Sequence, residues 1–266
     1  MWKVTTTNNN IDSVSKVTSI DHDLTSGVYT TLKLFPGNKV YQFQRHMQRL
    51  AESAQLSGFN FSLSETNLRK SLRSIVEQFH TEPLKVQILV FPQNEDLVIY
   101  LLINKATVYK DGGVNTITRS LSRNNPKAKR TDFIIRSTEE KNSMPNGIEE
   151  ILMVNNEGII LEGMSSNFYG VCKNKLWTAE EGVLFGTTRK TILNIVNDIG
   201  LDVDLEGFRL DKLPQLDEAF ISSVSRGVLP VIRINDQQIG SGKPGDITVL
   251  IKQKYDELLN KDLEAL

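Results

Sequence analysis

Apolar positions along this chain switch between a period of two and a period near 3.6, and the switches mark its elements. GVYTTLKLF, 27 to 35, is rich in β-branched and aromatic residues and ends at PGN, so it reads as a strand. In RHMQRLAESAQLSGF, 45 to 59, Met47, Leu50, Ala51 and Ala54 recur at helical spacing and Gly58 supplies a stop. A second helix is predicted over 67 to 80, with Leu68, Leu72, Ile75, Val76 and Phe79 on one face. VQILVFP and LVIYLLIN then read as paired strands around the polar turn QNED. These elements predict a small α/β domain over residues 1–107. KATVYKDGGV has the composition of a linker, placed at 108–114. The polar first sixteen residues are expected to fray.

Residues 115–266 are expected to form a larger, strand-rich second domain. VNTITRSL opens it as a strand, followed by the polar, basic stretch SRNNPKAKRTD. FIIRSTEEKNS reads as a helix ended near Pro145 and Gly147. EEILMVN, GIILEG, NFYGVCKN, KLWTA, AFISSV and VLPVIRIN are short apolar runs between turn signals, the pattern of strands. TTRKTILNIVNDIG, 187 to 200, and DITVLIKQKYDELLNK, 246 to 261, carry amphipathic helical periods. The fold class is therefore α+β.

Charge narrows the partners. Lys+Arg 31 against Asp+Glu 32 leaves a net charge of −1, which gives no electrostatic reason to expect nucleic acid or an anionic membrane. No apolar run reaches membrane-spanning length and the N-terminus lacks a signal-peptide core. One cysteine, Cys172, rules out an internal disulfide framework and fits a reducing cytoplasm. His22, His46 and His80 show no metal-ligand spacing, so no metal is expected.

Four features can carry chemistry. In GIILEGMSSNF, 158 to 168, Glu162 ends an apolar strand, where a carboxylate needs a partner. LFGTTRK places Gly186, Thr187 and Thr188 at a helix start, an anion site by construction or a simple cap. Arg49 offers a rigid fork of donors suited to phosphate, though an arginine on a helix is usually solvated or ion-paired. Lys127 and Lys129 lie in a basic loop; a lysine amine can form a Schiff base when its surroundings favour the neutral form. Singly these decide nothing. Together they supply what pyridoxal 5'-phosphate requires: an imine-forming lysine, a phosphate site, and a carboxylate beside the pyridine nitrogen.

The order of these motifs resembles the class IV aminotransferases, the fold-type IV pyridoxal phosphate enzymes. GVY at 27 to 29, HMQRL at 46 to 50, EGMSSNF at 162 to 168, LFGTTR at 184 to 189 and SSVSRGVLPV at 222 to 231 carry the resemblance. It implies two domains, a small α/β one and a larger pseudo-barrel one, and a homodimer. It implies that Lys129 is the Schiff-base lysine and general base, with Lys127 second choice. Arg49, Thr187 and Thr188 would hold the phosphate. Glu162 would face the ring nitrogen and Leu184 would pack on the ring. Ser165, Ser166 and Asn167 would line the cofactor's flank, with Ser223 and Ser225 as further contacts. Tyr29, Ser225 and Arg226 would face the substrate, an amino donor or 2-oxo acid. Arg226 is either a side-chain ligand for a substrate carboxylate or an outward-facing strand residue.

There are departures from the pattern. RTDF follows Lys129 where relatives carry Asn or Tyr, and Val224 replaces a common threonine. The activity implied first is amino transfer between an amino acid and a 2-oxo acid. A pyruvate-releasing lyase of the aminodeoxychorismate type is the alternative, favoured by the spacing of Lys129 and Asp132. A non-catalytic relative that binds the cofactor or a partner is third.

Overall fold

The computed structural model describes residues 1–7, 10–79, 81–109 and 111–266, so His80 lies outside the described residues. In chain order the elements of the first half are β1 (Trp2–Thr7), β2 (Asn10–Lys16), β3 (Val28–Phe35), β4 (Lys39–Tyr41), α1 (Phe43–Leu56), α2 (Glu65–Val76), β5 (Leu84–Gln93) and β6 (Asp96–Lys105). Then follow β7 (Val114–Ser120), α3 (Asp132–Asn142), β8 (Ile148–Val154), β9 (Ile159–Gly163), β10 (Ser166–Cys172), β11 (Lys175–Trp177) and α4 (Thr187–Asp198). The last are β12 (Asp202–Asp204), β13 (Phe208–Arg209), β14 (Glu218–Ser223), β15 (Gly227–Ile234), β16 (Gln237–Gln238), α5 (Asp246–Lys261) and β17 (Leu263–Ala265).

The chain forms two compact units. Unit 1 comprises residues 1–107, 127–135 and 259–266; unit 2 comprises 108–126 and 136–258. A continuous second domain from 115 onward therefore does not describe the chain. The segment carrying Lys129 returns to unit 1, as do the last eight residues. The physical reason is main-chain pairing. Val28 and Arg130 form an antiparallel bridge, Tyr29 N–H donates to Lys129 C=O, and Thr131 N–H donates to Gly27 C=O.

Unit 1 is a seven-stranded antiparallel sheet in the order β17-β4-β3-β5-β6-β1-β2. Alternation assigns its faces. Val28, Leu32, Val86, Ile88, Val90, Ile99 and Val4 pack with Leu50, Ala54, Leu68 and Leu72 of α1 and α2. The other face presents Leu89, Phe91, Val98 and Tyr100, covered by Val17, Ile20, Leu24 and Ile134. The expected fraying of the first sixteen residues is not observed among the described ones. β1 pairs with β6 and β2 with β1, and Val4 is fully buried. The threonine-rich alternation there suits a pleated strand whose partner lies far along the chain. Phe79, assigned above to the apolar face of α2, is exposed and lies past that helix.

Unit 2 is built on a barrel. β10, β14, β15, β7, β8 and β9 pair in sequence, and β9 pairs back with β10. The β15–β7 and β7–β8 pairings are parallel and the other pairings in the ring antiparallel. β11 and β12 extend the sheet beyond β10, β13 lies on β9, and β16 on β15. The Glu218 carboxylate accepts from Ile247 and Thr248 N–H, so an acidic group caps the positive end of α5.

Candidate active site

Glu162 sits at the end of β9 and is 1% exposed. Its partners explain how a strand end tolerates a buried carboxylate. Arg123 Nε donates to Oε1 at 2.6 Å, while Asn167 Nδ2 and the Leu184 main-chain N–H each donate to Oε2 at 3.1 Å. Asn167 also donates to Leu184 C=O at 2.9 Å, tying the start of β10 to the turn before α4. Arg123 in turn donates to Met164 C=O. The result is a buried carboxylate with at least three hydrogen bonds, one of them from a charged partner, the arrangement such a charge requires.

The turn before α4 is shaped for an anion. A Cβ on Gly186 would stand 2.7 Å from Asn167 Oδ1, so only glycine lets the turn approach this closely. Gly186 is the N-cap of α4 and offers no side-chain cap. Thr187 and Thr188 are buried, and Thr187 Oγ1 has no hydrogen-bond partner among the described residues. A buried hydroxyl without a partner, beside the open N–H groups of a helix start, is a donor set suited to an anionic oxygen.

Behind the β9–β10 turn lies a second charged cluster that the sequence did not disclose. Glu150, near the start of β8, is fully buried. It accepts from Ser165 N–H at 3.2 Å, Ser165 Oγ at 2.6 Å, Ser166 Oγ at 3.1 Å and Arg226 Nη1 at 3.2 Å. A Cβ on Gly163 would meet Ser166 Oγ at 2.3 Å and Glu150 Cγ at 2.8 Å, so this glycine too is forced by close approach. Arg226 Nε also donates to Tyr109 Oη at 3.2 Å and Glu149 Oε1 at 3.0 Å, and Nη1 to Ser165 Oγ at 2.9 Å. Lys141 Nζ donates to the same Ser165 hydroxyl at 2.8 Å. Burial alone would raise the Glu150 carboxyl; Arg226, Lys141 and the two serine hydroxyls outweigh it and hold the group below its ordinary value.

This cluster changes two expectations. Arg226 is not an outward-facing strand residue: it lies in the β14–β15 turn with its side chain buried. Its guanidinium is spent on Glu149, Glu150, Ser165 and Tyr109, inside unit 2. Ser165 and Ser166 direct their hydroxyl protons to Glu150, so neither hydroxyl proton is left to donate to a cofactor. Ser223 Oγ accepts from Arg226 N–H at 3.3 Å and lies 3.4 Å from Ser225 Oγ, closing the β14–β15 turn.

Unit 1 holds Lys129, Tyr29 and Arg49. Lys129 Nζ lies 4.8 Å from the centre of the Tyr29 ring, whereas Lys127 is exposed. On α1, His46, Arg49 and Ser53 are all buried and share one face. His46 Nδ1 lies 3.2 Å from Thr30 Oγ1. Burial, with Arg49, Lys129 and Arg45 nearby, pushes its pKa down to about 3, so this imidazole is neutral at ordinary pH.

Residues 27–234 match the family model for amino-transferase class IV. The chain belongs to this family. D-alanine aminotransferase of Bacillus licheniformis is 28% identical over 242 residues, 84% of this chain and 83% of that protein. The branched-chain-amino-acid aminotransferase of Pseudomonas aeruginosa is 24% identical over 250 residues, 86% of this chain and 81% of that protein. Among solved structures, the branched-chain aminotransferase from the thermophilic archaeon Thermoproteus uzoniensis with norvaline gives a TM-score of 0.75 at 24% identity, covering 90% of this chain and 89% of that one. At that identity the likeness speaks for the fold.

This class IV aminotransferase uses pyridoxal 5'-phosphate, the family's cofactor. The residues of unit 2 fit it: an unpartnered buried hydroxyl and helix-start N–H groups suit a phosphate, and a fixed carboxylate suits a pyridinium nitrogen. Arg123, Glu150 and Ser53 were absent from the sequence-based set. Arg123 looked like part of a solvated basic loop. Glu150 carried one signal, a second carboxylate running straight into the apolar stretch ILMV.

Proposed function

We propose that this aminotransferase moves an amino group between an amino acid or amine and a 2-oxo acid with Lys129 as the lysine that joins the cofactor. The observation that carries the reading is the pairing of Lys129 with β3, which places its amine over Tyr29 while Lys127 stands in solvent. Pyridoxal 5'-phosphate supplies an aldehyde carbon and an electron-accepting ring. Glu162, fixed by Arg123, keeps a proton on the ring nitrogen. Thr187 and Thr188 donate to the phosphate from the start of α4, and Arg49 adds a charged fork. Leu184 gives the ring an apolar contact, Asn167 holds Glu162 in place, and Ser223 and Ser225 line the cofactor's edge. Lys129 takes and returns a proton at Nζ, and Tyr29 bounds the substrate.

A homodimer in the cytoplasm is part of the same reading. No helix among the described residues is long and apolar enough to cross a membrane. The lyase alternative loses its support, because Asp132 accepts from Arg130 Nε at 3.1 Å and the named relatives are aminotransferases. The test is the absorbance of the cofactor-loaded protein on mixing with L-amino acids, D-amino acids and primary amines in turn. Conversion to the pyridoxamine form by one donor supports transamination and names its class. No conversion by any of them, with pyruvate released from aminodeoxychorismate, would restore the lyase.

A further inference from the structure

The segment around Lys129 pairs with β3 in an incomplete way. In an antiparallel ladder, the residues flanking a non-hydrogen-bonded pair each exchange two main-chain bonds with the residue opposite. Val28 and Arg130 are such a pair. On one side, Tyr29 N–H donates to Lys129 C=O at 2.9 Å, but the reciprocal bond is replaced. Lys129 N–H donates instead to Ser53 Oγ at 3.1 Å. On the other side, Thr131 N–H donates to Gly27 C=O at 2.9 Å, while Gly27 N–H donates to Thr131 Oγ1 at 3.1 Å rather than to the main chain. Two side-chain hydroxyls thus stand where two main-chain acceptors belong. Both residues are essentially inaccessible to solvent, Ser53 at 1% and Thr131 at 0%.

Ser53 comes from α1, one turn beyond Arg49 and on the same face. His46, on that face one turn before Arg49, meets Thr30 of β3. A single helix face therefore carries the proposed phosphate arginine and the hydroxyl that diverts the Lys129 main chain from the regular ladder. We propose that Ser53 is a positioning residue that sets where the Lys129 amine stands, with Thr131 securing the other end of the same segment. This rests on the assignment of Lys129 as the cofactor-linked lysine. In a regular ladder the acceptor for Lys129 N–H is the Tyr29 carbonyl, opposite it across the pair, so losing the Ser53 hydroxyl removes the diversion and not the pairing with β3. Ser53→Ala should then fold, with the lysine strand reset against β3.

The experiment compares wild type and Ser53→Ala in the full chain. One readout is the rate at which added pyridoxal 5'-phosphate becomes borohydride-trappable on the Lys129 peptide, followed by mass spectrometry. The other is the Kd for pyridoxamine 5'-phosphate, which carries its own amine and needs no lysine. A misplacement near 1 Å costs up to about a hundredfold in such steps. The expected result is a trapping rate lowered about tenfold or more, with the pyridoxamine phosphate Kd unchanged within about twofold and the rate restored in Ser53→Thr. An unchanged trapping rate overturns the proposal. So does a parallel loss of both readouts, which would make Ser53 a support of the fold alone. Should Ser53→Ala not fold, Thr131→Val carries the same test with the same two readouts. If wild type traps at Lys127, the assignment of Lys129 has failed, and that outcome is separate from any effect of Ser53.

Discussion

The surroundings of Lys129 in unit 1 and of Glu162 in unit 2 are held by different physics. The hydrogen bonds that fix the Lys129 segment come from neutral groups: the Ser53 and Thr131 hydroxyls and main-chain bonds to β3, with the Tyr29 ring beside the amine. Its nearby imidazole, His46, is neutral as well. Glu162 is placed by charge, through Arg123, and the turn beside it is braced by Glu150, Arg226, Glu149 and Lys141. Neutral hydrogen bonds contribute about 1 kcal/mol each and can be remade with another partner. A buried ion pair cannot be half-removed without stranding a charge, at about 3–5 kcal/mol. On the role proposed for Lys129, an amine that releases one partner and carries a proton to another is served by compliant support. A carboxylate that must stay charged in one place is served by rigid support.

The contrast breaks most visibly at Arg226. Arg226→Ala strands the buried Glu150 charge, and urea denaturation should show a loss of about 3–5 kcal/mol. If the variant is stabilised enough to assay, KM should rise by the same factor for carboxylate substrates and for simple amines. A selective rise for carboxylates would return Arg226 to the substrate.

His46 offers a smaller test in unit 1. Its pKa is about 3 in the folded chain against 6.5 for the free side chain, so the unfolded chain binds the extra proton between those values. Stability present above pH 6.5 is lost as pH falls towards 3, by up to about tenfold in the folding equilibrium per pH unit. His46→Gln should flatten that part of the profile in acid unfolding curves, and an unchanged slope would show that the imidazole is not the group responsible.

The smallest effect belongs to Thr187. Its hydroxyl is buried without a partner among the described residues, so Thr187→Val should leave stability unchanged or slightly raised. Affinity for pyridoxal 5'-phosphate should fall about tenfold, the scale of one charge-assisted hydrogen bond, while affinity for pyridoxal, which lacks the phosphate, should not move. Equal losses for the two would remove Thr187 from the phosphate site.

Much of this contrast was legible in the residue pattern, but unevenly. EGMSSNF and LFGTTR stand out because glycine, hydroxyls and a carboxylate interrupt apolar runs, and the close approaches at Gly163 and Gly186 explain those interruptions. Arg123 did not stand out, because an arginine in a basic loop looks the same whether it meets solvent or a buried carboxylate. Arg226 was recognised as unusual, yet its partner Glu150 lies 76 residues away and only the barrel's closure brings them together. The return of residues 127–135 to unit 1 depends on main-chain bonds to Gly27 and Tyr29, which no side-chain pattern records. β1 and β2 do not stand out for the same reason: polar residues alternate there, and β6, the strand that joins β1 to the sheet, is remote in sequence.

The most direct measurement is borohydride reduction of the cofactor-loaded protein, followed by peptide mass spectrometry of wild type, Lys129→Ala and Lys127→Ala. Wild type and Lys127→Ala should carry a phosphopyridoxyl adduct on Lys129, and Lys129→Ala should carry none. An adduct that survives in Lys129→Ala and disappears in Lys127→Ala would contradict the assignment of Lys129.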